Sequence, residues 1–171
     1  MTSMTQQIQR TLQKTTNPIP DFTMGPQRQQ LAPAVHSGVA PIKTLSSGVV
    51  RMACGHHAVP HIHEYAEITV LVVSGMVASL AGDQLEETFL HAPGSIMYIG
   101  PGVPHIGVNL APDAEATVFE VRTDRAFNDD VVRLPELDAI AAARVDQLQR
   151  DFALGMLTDQ LDAPTASTAL W

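Results

Sequence analysis

Six of the seven histidines lie between positions 56 and 105, and two of them form the triplet His61-Ile62-His63. Side chains alternate across an extended strand, so an H-x-H pair presents both imidazoles on one face. Glu67 follows after the short break Glu64-Tyr65-Ala66 and opens an apolar run, and His105 opens another just past Gly100-Pro101-Gly102. Three imidazoles and one carboxylate suit a divalent transition metal. Imidazole matches Zn, Cu, Fe or Ni, and the mixed nitrogen and oxygen set also accommodates Mn. Coordination positions left open for water, substrate or dioxygen distinguish a catalytic site from a closed structural one. The residue types alone leave a second reading open, in which these histidines are solvated loop residues or satisfied core residues.

The elements that must position these side chains are short. Apolar runs at 48–54, 67–73, 76–81, 87–90, 95–99, 105–110 and 116–121 are separated by turn signals such as Ser74-Gly75, Gly82-Asp83 and Pro93-Gly94. Strands of about five residues at this spacing predict an all-β sandwich or barrel, here over 46–125. No strand and helix alternation points to a parallel sheet. Residues 1–45, rich in Gln, Thr and Pro, read as a largely irregular N-terminal arm. From Pro135, the spacing of Leu137, Ile140, Ala141, Val145 and Leu148 is helical, which places a C-terminal helical segment over 134–162 as cover for the barrel.

Composition agrees with one β-rich domain. The 171 residues include 11 glycines and 12 prolines, a density suited to many tight turns. The net charge of −8 disfavours nucleic acid and anionic membranes as partners. Cys54 is the single cysteine, so no intrachain disulfide forms. The polar N-terminus has no apolar signal core and no run is long enough to span a bilayer, so the expected compartment is the cytoplasm.

The histidines and glycines together resemble the two sequence motifs of the cupin superfamily. The first block reads Gly55, five residues, His61-x-His63, three residues, Glu67, then Gly75; the second reads Gly94 to Gly102, two residues, His105, three residues, Asn109. Gly75 lies one residue later than usual, and Gly100 stands where a proline normally starts the second turn. The segment GVPHIGVN is similar to small single-domain cupins of the RmlC-like type. The resemblance implies a double-stranded β-helix, a jelly-roll barrel, with His61, His63, Glu67 and His105 as ligands of one divalent metal inside one end. Fe(II) is the favoured ion, with Mn, Zn, Ni and Cu as alternatives.

Parity extends the expectation to a substrate pocket. If Glu67 faces inward, so do Thr69, Leu71 and Val73; if His105 does, so do Gly107 and Asn109. Tyr98 and Arg51 complete the candidate lining, although Arg51 also reads as an outward surface charge. His56 and His57 read as a solvated turn, and Cys54 as a buried, inert strand residue. The functional expectation is a non-haem metal-dependent oxygenase acting on a small, partly apolar molecule. The alternatives are a non-redox metal-dependent isomerase, cyclase or lyase, and a binding protein without turnover. A homodimer is expected, with residues 21–45 helping to cover a sheet.

Overall fold

The computed structural model describes residues 21–158. Two antiparallel sheets face each other. The six-stranded sheet has the order β1 (Thr23–Met24), β2 (Gln30–Val35), β3 (Ser46–Met52), β10 (Ala116–Arg122), β5 (Ile68–Ser74) and β8 (Ile96–Ile99). The five-stranded sheet has the order β11 (Val131–Arg133), β4 (His61–His63), β9 (His105–Asn109), β6 (Val77–Ala81) and β7 (Glu87–His91). A 3₁₀ turn at Pro135–Leu137 leads into helix α1 (Asp138–Ala153). No described helix is long and apolar enough to cross a membrane.

Alternation explains why these segments are strands with two different faces. In β3 and β10, burial alternates residue by residue. Leu31, Val50, Met52, Ile68, Val70, Val72, Val77, Val118 and Phe127 form the barrel interior. A second core lies outside the barrel, where Ala78 and Leu80 of β6 and Ile106 and Val108 of β9 meet Leu137, Ala141 and Val145. The helix therefore covers the five-stranded sheet, as the C-terminal periodicity predicts. Arg144 donates to the Thr88 hydroxyl, and Gln149 donates to the carbonyls of Gly55 and Asn109, which latch its exposed flank.

Residues 21–45 of the expected arm include two short strands, β1 and β2, that join the six-stranded sheet. β2 pairs with β3 through Gln30↔Arg51, Leu31↔Val50 and Ala32↔Val49, then shifts register between Pro33 and Val35. Pro33 reads as a breaker in the sequence, but β1 covers only the start of β2, so the proline sits where one strand edge is unpaired. Residues 1–20 of the arm and 159–162 of the helical segment lie outside the described residues.

The turn after β10 ties the N-terminal residues to the barrel. Phe127 and Asn128 both have positive φ, at 66° and 79°. Asp124 holds them there: its carboxylate accepts from the amides of Ala126, Phe127 and Asn128. Asn128 and Gln27 exchange two amide hydrogen bonds of 3.0 Å, and the Val59 amide donates to the Gln27 carbonyl two residues before His61. Gly48 lets Phe127 lie against β3, because a Cβ there would sit 2.7 Å from the ring and 2.8 Å from the Ala32 carbonyl. Asp124→Ala leaves three amides of this turn without their acceptor and should cost about 2–4 kcal/mol. Urea unfolding of metal-free protein measures it.

Candidate metal centre

β4 and β9 are neighbours in register, with His61 opposite His105, and the H-x-H alternation puts His63 on the same inward face. The Gly100–Gly102 turn is fixed to this pair. Gly102, at φ +72°, donates its amide to the His63 carbonyl at 2.7 Å. The three rings lie 4.4–5.6 Å apart by centroid and are buried. One nitrogen from each falls within 4.8 Å of the others.

Each ring has its Nδ1 occupied. His61 donates to the Val59 carbonyl at 2.8 Å, His105 to the Val103 carbonyl at 2.9 Å, and His63 to the Asp130 carboxylate at 2.9 Å. A neutral imidazole whose Nδ1 donates carries its lone pair on Nε2. Burial is the main force keeping the rings neutral. It lowers His61 well below its ordinary value, helped by His105, and lowers His63, helped by Arg122 and opposed by Asp130. Burial takes His105 down to about 4. Three neutral, oriented imidazoles with unprotonated Nε2 atoms are what a divalent transition metal requires. The donor set therefore fits the metal.

Glu67 is not part of this cluster. The bend at Glu64–Ala66 shifts the alternation by one residue, so Ile68, Val70 and Val72 face inward and Glu67 faces solvent. Its Oε1 accepts from the Tyr98 hydroxyl at 3.1 Å on the outside of the sheet. The same shift moves Thr69, Leu71 and Val73 outward, correcting the expected pocket lining. Asp130 holds the bend. Its second oxygen accepts from the amides of Tyr65 and Ala66. Burial works to raise the Asp130 carboxyl, but the bonds from His63 and the two amides outweigh it and hold the group below its ordinary range.

Other expected residues also sit elsewhere. Asn109 is inward and fully buried, but it is a structural clamp. Its amide donates to the carbonyls of Met52, Ala53 and Ala114, and its oxygen accepts from Ala111. Arg51 points outward, stacked on Phe22 and 3.8 Å from Glu115. Tyr98 is exposed but lines a larger cleft beside the inner chamber. Cys54 lies beyond the end of β3 and is exposed rather than buried. His56 and His57 are half-buried, and each ring bonds a carbonyl. Gly107 does line the inner chamber.

That chamber, about 30 Å³, also contains Gln29, Glu120 and Arg122. Glu120 and Arg122 form a buried ion pair, and Arg122 donates further to Asn128 and stacks on Phe127. Among the described residues only Oε2 of Glu120 is engaged, and Glu120 lines the chamber. The signal for this pair was a Glu and an Arg two apart on one face of an otherwise apolar strand. Nothing in the sequence marked that face as the inner one.

Asp130→Asn removes the charge that orients His63 and should weaken metal binding about 10- to 100-fold. Glu67→Gln should leave it unchanged. Chelator competition compares both with the parent. Acid should also destabilise the metal-free protein. Unfolded histidine takes up a proton near pH 6.5 and folded His105 only near 4, so stability is complete above that window and falls as pH drops through it. Thermal melts between pH 7 and 4 check the direction.

No family model and no curated protein matches the chain. Solved structures do. Oxalate oxidase is similar over 83% of this chain and 81% of its own, at 19% identity and TM-score 0.56. KdgF from Halomonas sp. is similar over 66% and 93%, at 20% identity and TM-score 0.52. The cupin domain of Cnp3 from Schizosaccharomyces pombe is similar over 66% and 74%, at 12% identity and TM-score 0.51. With two facing antiparallel sheets, an inward three-histidine cluster and these neighbours, the chain has the cupin fold, a double-stranded β-helix.

Proposed function

We propose that the protein is a metal-dependent oxidoreductase of dioxygenase type, acting on a small, largely apolar molecule. The observation that carries this reading is the convergence of three neutral Nε2 donors in a chamber walled by Ile68, Val70, Val77, Ile99 and Val118. His61, His63 and His105 would hold one divalent transition metal, with Fe(II) as the expected ion. When bound, such an ion supplies redox or Lewis-acid chemistry at its open positions. The protein's own groups do the rest. Val59, Val103 and Asp130 fix the tautomer and aim of each ring. The apolar walls limit water. Glu120 offers one unengaged carboxylate oxygen to hold or accept a proton beside the centre.

The likeness to oxalate oxidase is one of fold and brings no substrate with it. The chamber's guanidinium is already committed to Glu120 and Asn128, so an anion there would rest on the metal alone. A second reading is favoured by the position of Glu67. A three-histidine centre without that carboxylate also suits Zn(II), and Glu120 would then serve as base in a non-redox isomerase, cyclase or lyase.

Elemental analysis of protein purified without added metal separates the readings. About one iron per chain with oxygen uptake on substrate screening supports the first; zinc without uptake supports the second. His61→Ala with His63→Ala should abolish metal retention while the apolar core keeps the chain folded. Full metal occupancy in a folded double variant overturns both readings.

A further inference from the structure

The inner chamber, about 30 Å³, has room for an ion and a couple of waters at most. A substrate body must lie elsewhere. A second cavity of about 440 Å³ opens between β7 and β8, which terminate the two sheets and leave a gap between their edges. Its volume falls within the range of small-molecule sites. It shares Ser79, Met97, Ile99 and His105 with the inner chamber, so the two spaces meet across those side chains. Phe89 and Val103 add apolar surface, and both are partly open to solvent.

One polar group in this cleft is aimed and unspent. His91 is 8% exposed, and its Nε2 lies 3.1 Å from the Ser79 hydroxyl oxygen. That hydroxyl donates to the Met97 sulfur at 3.2 Å. A thioether only accepts, so both contacts are hydrogen bonds only when the hydroxyl proton points to the sulfur and its oxygen accepts from His91. In that arrangement His91 carries its proton on Nε2 and a lone pair on Nδ1. Burial lowers its pKa, which keeps the ring neutral. Among the described residues Nδ1 has no partner and no buried side-chain nitrogen is left unpaired, so this atom has an open face. The charges in and around the cleft are acidic: Glu87 lines it, Glu67 bonds Tyr98 at its rim, and no Lys or Arg is among its lining residues.

We propose that the β7–β8 cleft is the substrate site, that it takes an uncharged, mostly apolar molecule bearing one hydrogen-bond donor, and that His91 Nδ1 is the acceptor that selects it. The inference deepens the proposed function and rests on that reading only for the metal toward which the bound molecule points. Apolar walls supply most of the contact. The single acceptor sets orientation, and the acidic rim disfavours anions.

The test is an NMR titration of the full chain with 4-propylphenol, 4-propylanisole and 4-propylbenzoate, run metal-loaded and after chelation. The phenol should shift signals of Phe89, Met97 and Val103 and bind about tenfold more tightly than the ether or the carboxylate. His91→Leu should reduce the phenol to the level of the ether. His91→Gln, whose amide donates to Ser79 and whose oxygen accepts, should restore most of the preference. Equal binding of phenol and ether by the parent overturns the proposal even if His91→Leu does not fold. So do shifts that map elsewhere, tighter binding of the carboxylate, or a preference that survives His91→Leu. A chain that retains no metal but keeps the phenol preference overturns the proposed function and leaves the cleft standing.

Discussion

Asp130 sits where two structural demands meet. One carboxylate oxygen receives the His63 Nδ1 proton, and the other receives the amides of Tyr65 and Ala66. The first bond fixes which nitrogen of His63 faces the chamber. The second fixes the bend between β4 and β5, and so the alternation along β5. A strand that continued without the bend would turn Glu67, Thr69 and Leu71 inward and push Ile68 and Val70 out. That would exchange an apolar barrel wall for a polar one. The carboxylate stays ionised because three donors converge on it, so the negative charge beside the histidines is a fixed part of the site.

The charge inside the barrel is balanced with similar economy. A buried guanidinium is costly unless it is paired and hydrogen-bonded. Arg122 meets that condition through Glu120, Asn128 and the face of Phe127. Asn128 and Phe127 in turn hold positive-φ conformations that Asp124 enforces. The histidine cluster therefore depends on a turn that contributes no donor to it. Removing Arg122 alone would leave Glu120 as an uncompensated buried carboxylate, and removing Glu120 alone would leave the guanidinium beside three imidazoles. Both partners persist together because either one alone is worse than neither.

The sequence carried the fold and the three histidines because both depend on local periodicity. The apolar runs set the strands, H-x-H sets a shared face, and the glycine-marked turn before His105 sets the register with β4. What it did not carry depended on a phase. Parity runs along a strand only while the strand continues, and the bend at Glu64–Ala66 is made by Asp130, more than sixty positions away. Thr69, Leu71 and Glu67 were misplaced together for that one reason. Asn109 shows a different limit. Its inward direction followed from His105, but its role depends on which carbonyls lie opposite, which periodicity does not encode. Pro33 shows a third, since a residue that forbids a central strand is harmless where the neighbouring edge is open.

The division into two cavities follows from where the barrel can afford to open. β4, β9 and β6 are paired on both sides, so the chamber behind them is closed in by backbone hydrogen bonds and stays small. β7 and β8 each end a sheet, and among the described residues no hydrogen bonds join them across the gap, so the wider cavity opens between them. The fold thus places rigidity at the histidines, which need fixed geometry, and access at the edges, which need none. Ser79 and Met97 stand at the boundary, joined by a weak hydroxyl–thioether contact. A flexible, polarizable side chain at that point can yield to an arriving group at little cost. A branched residue would make the boundary a wall.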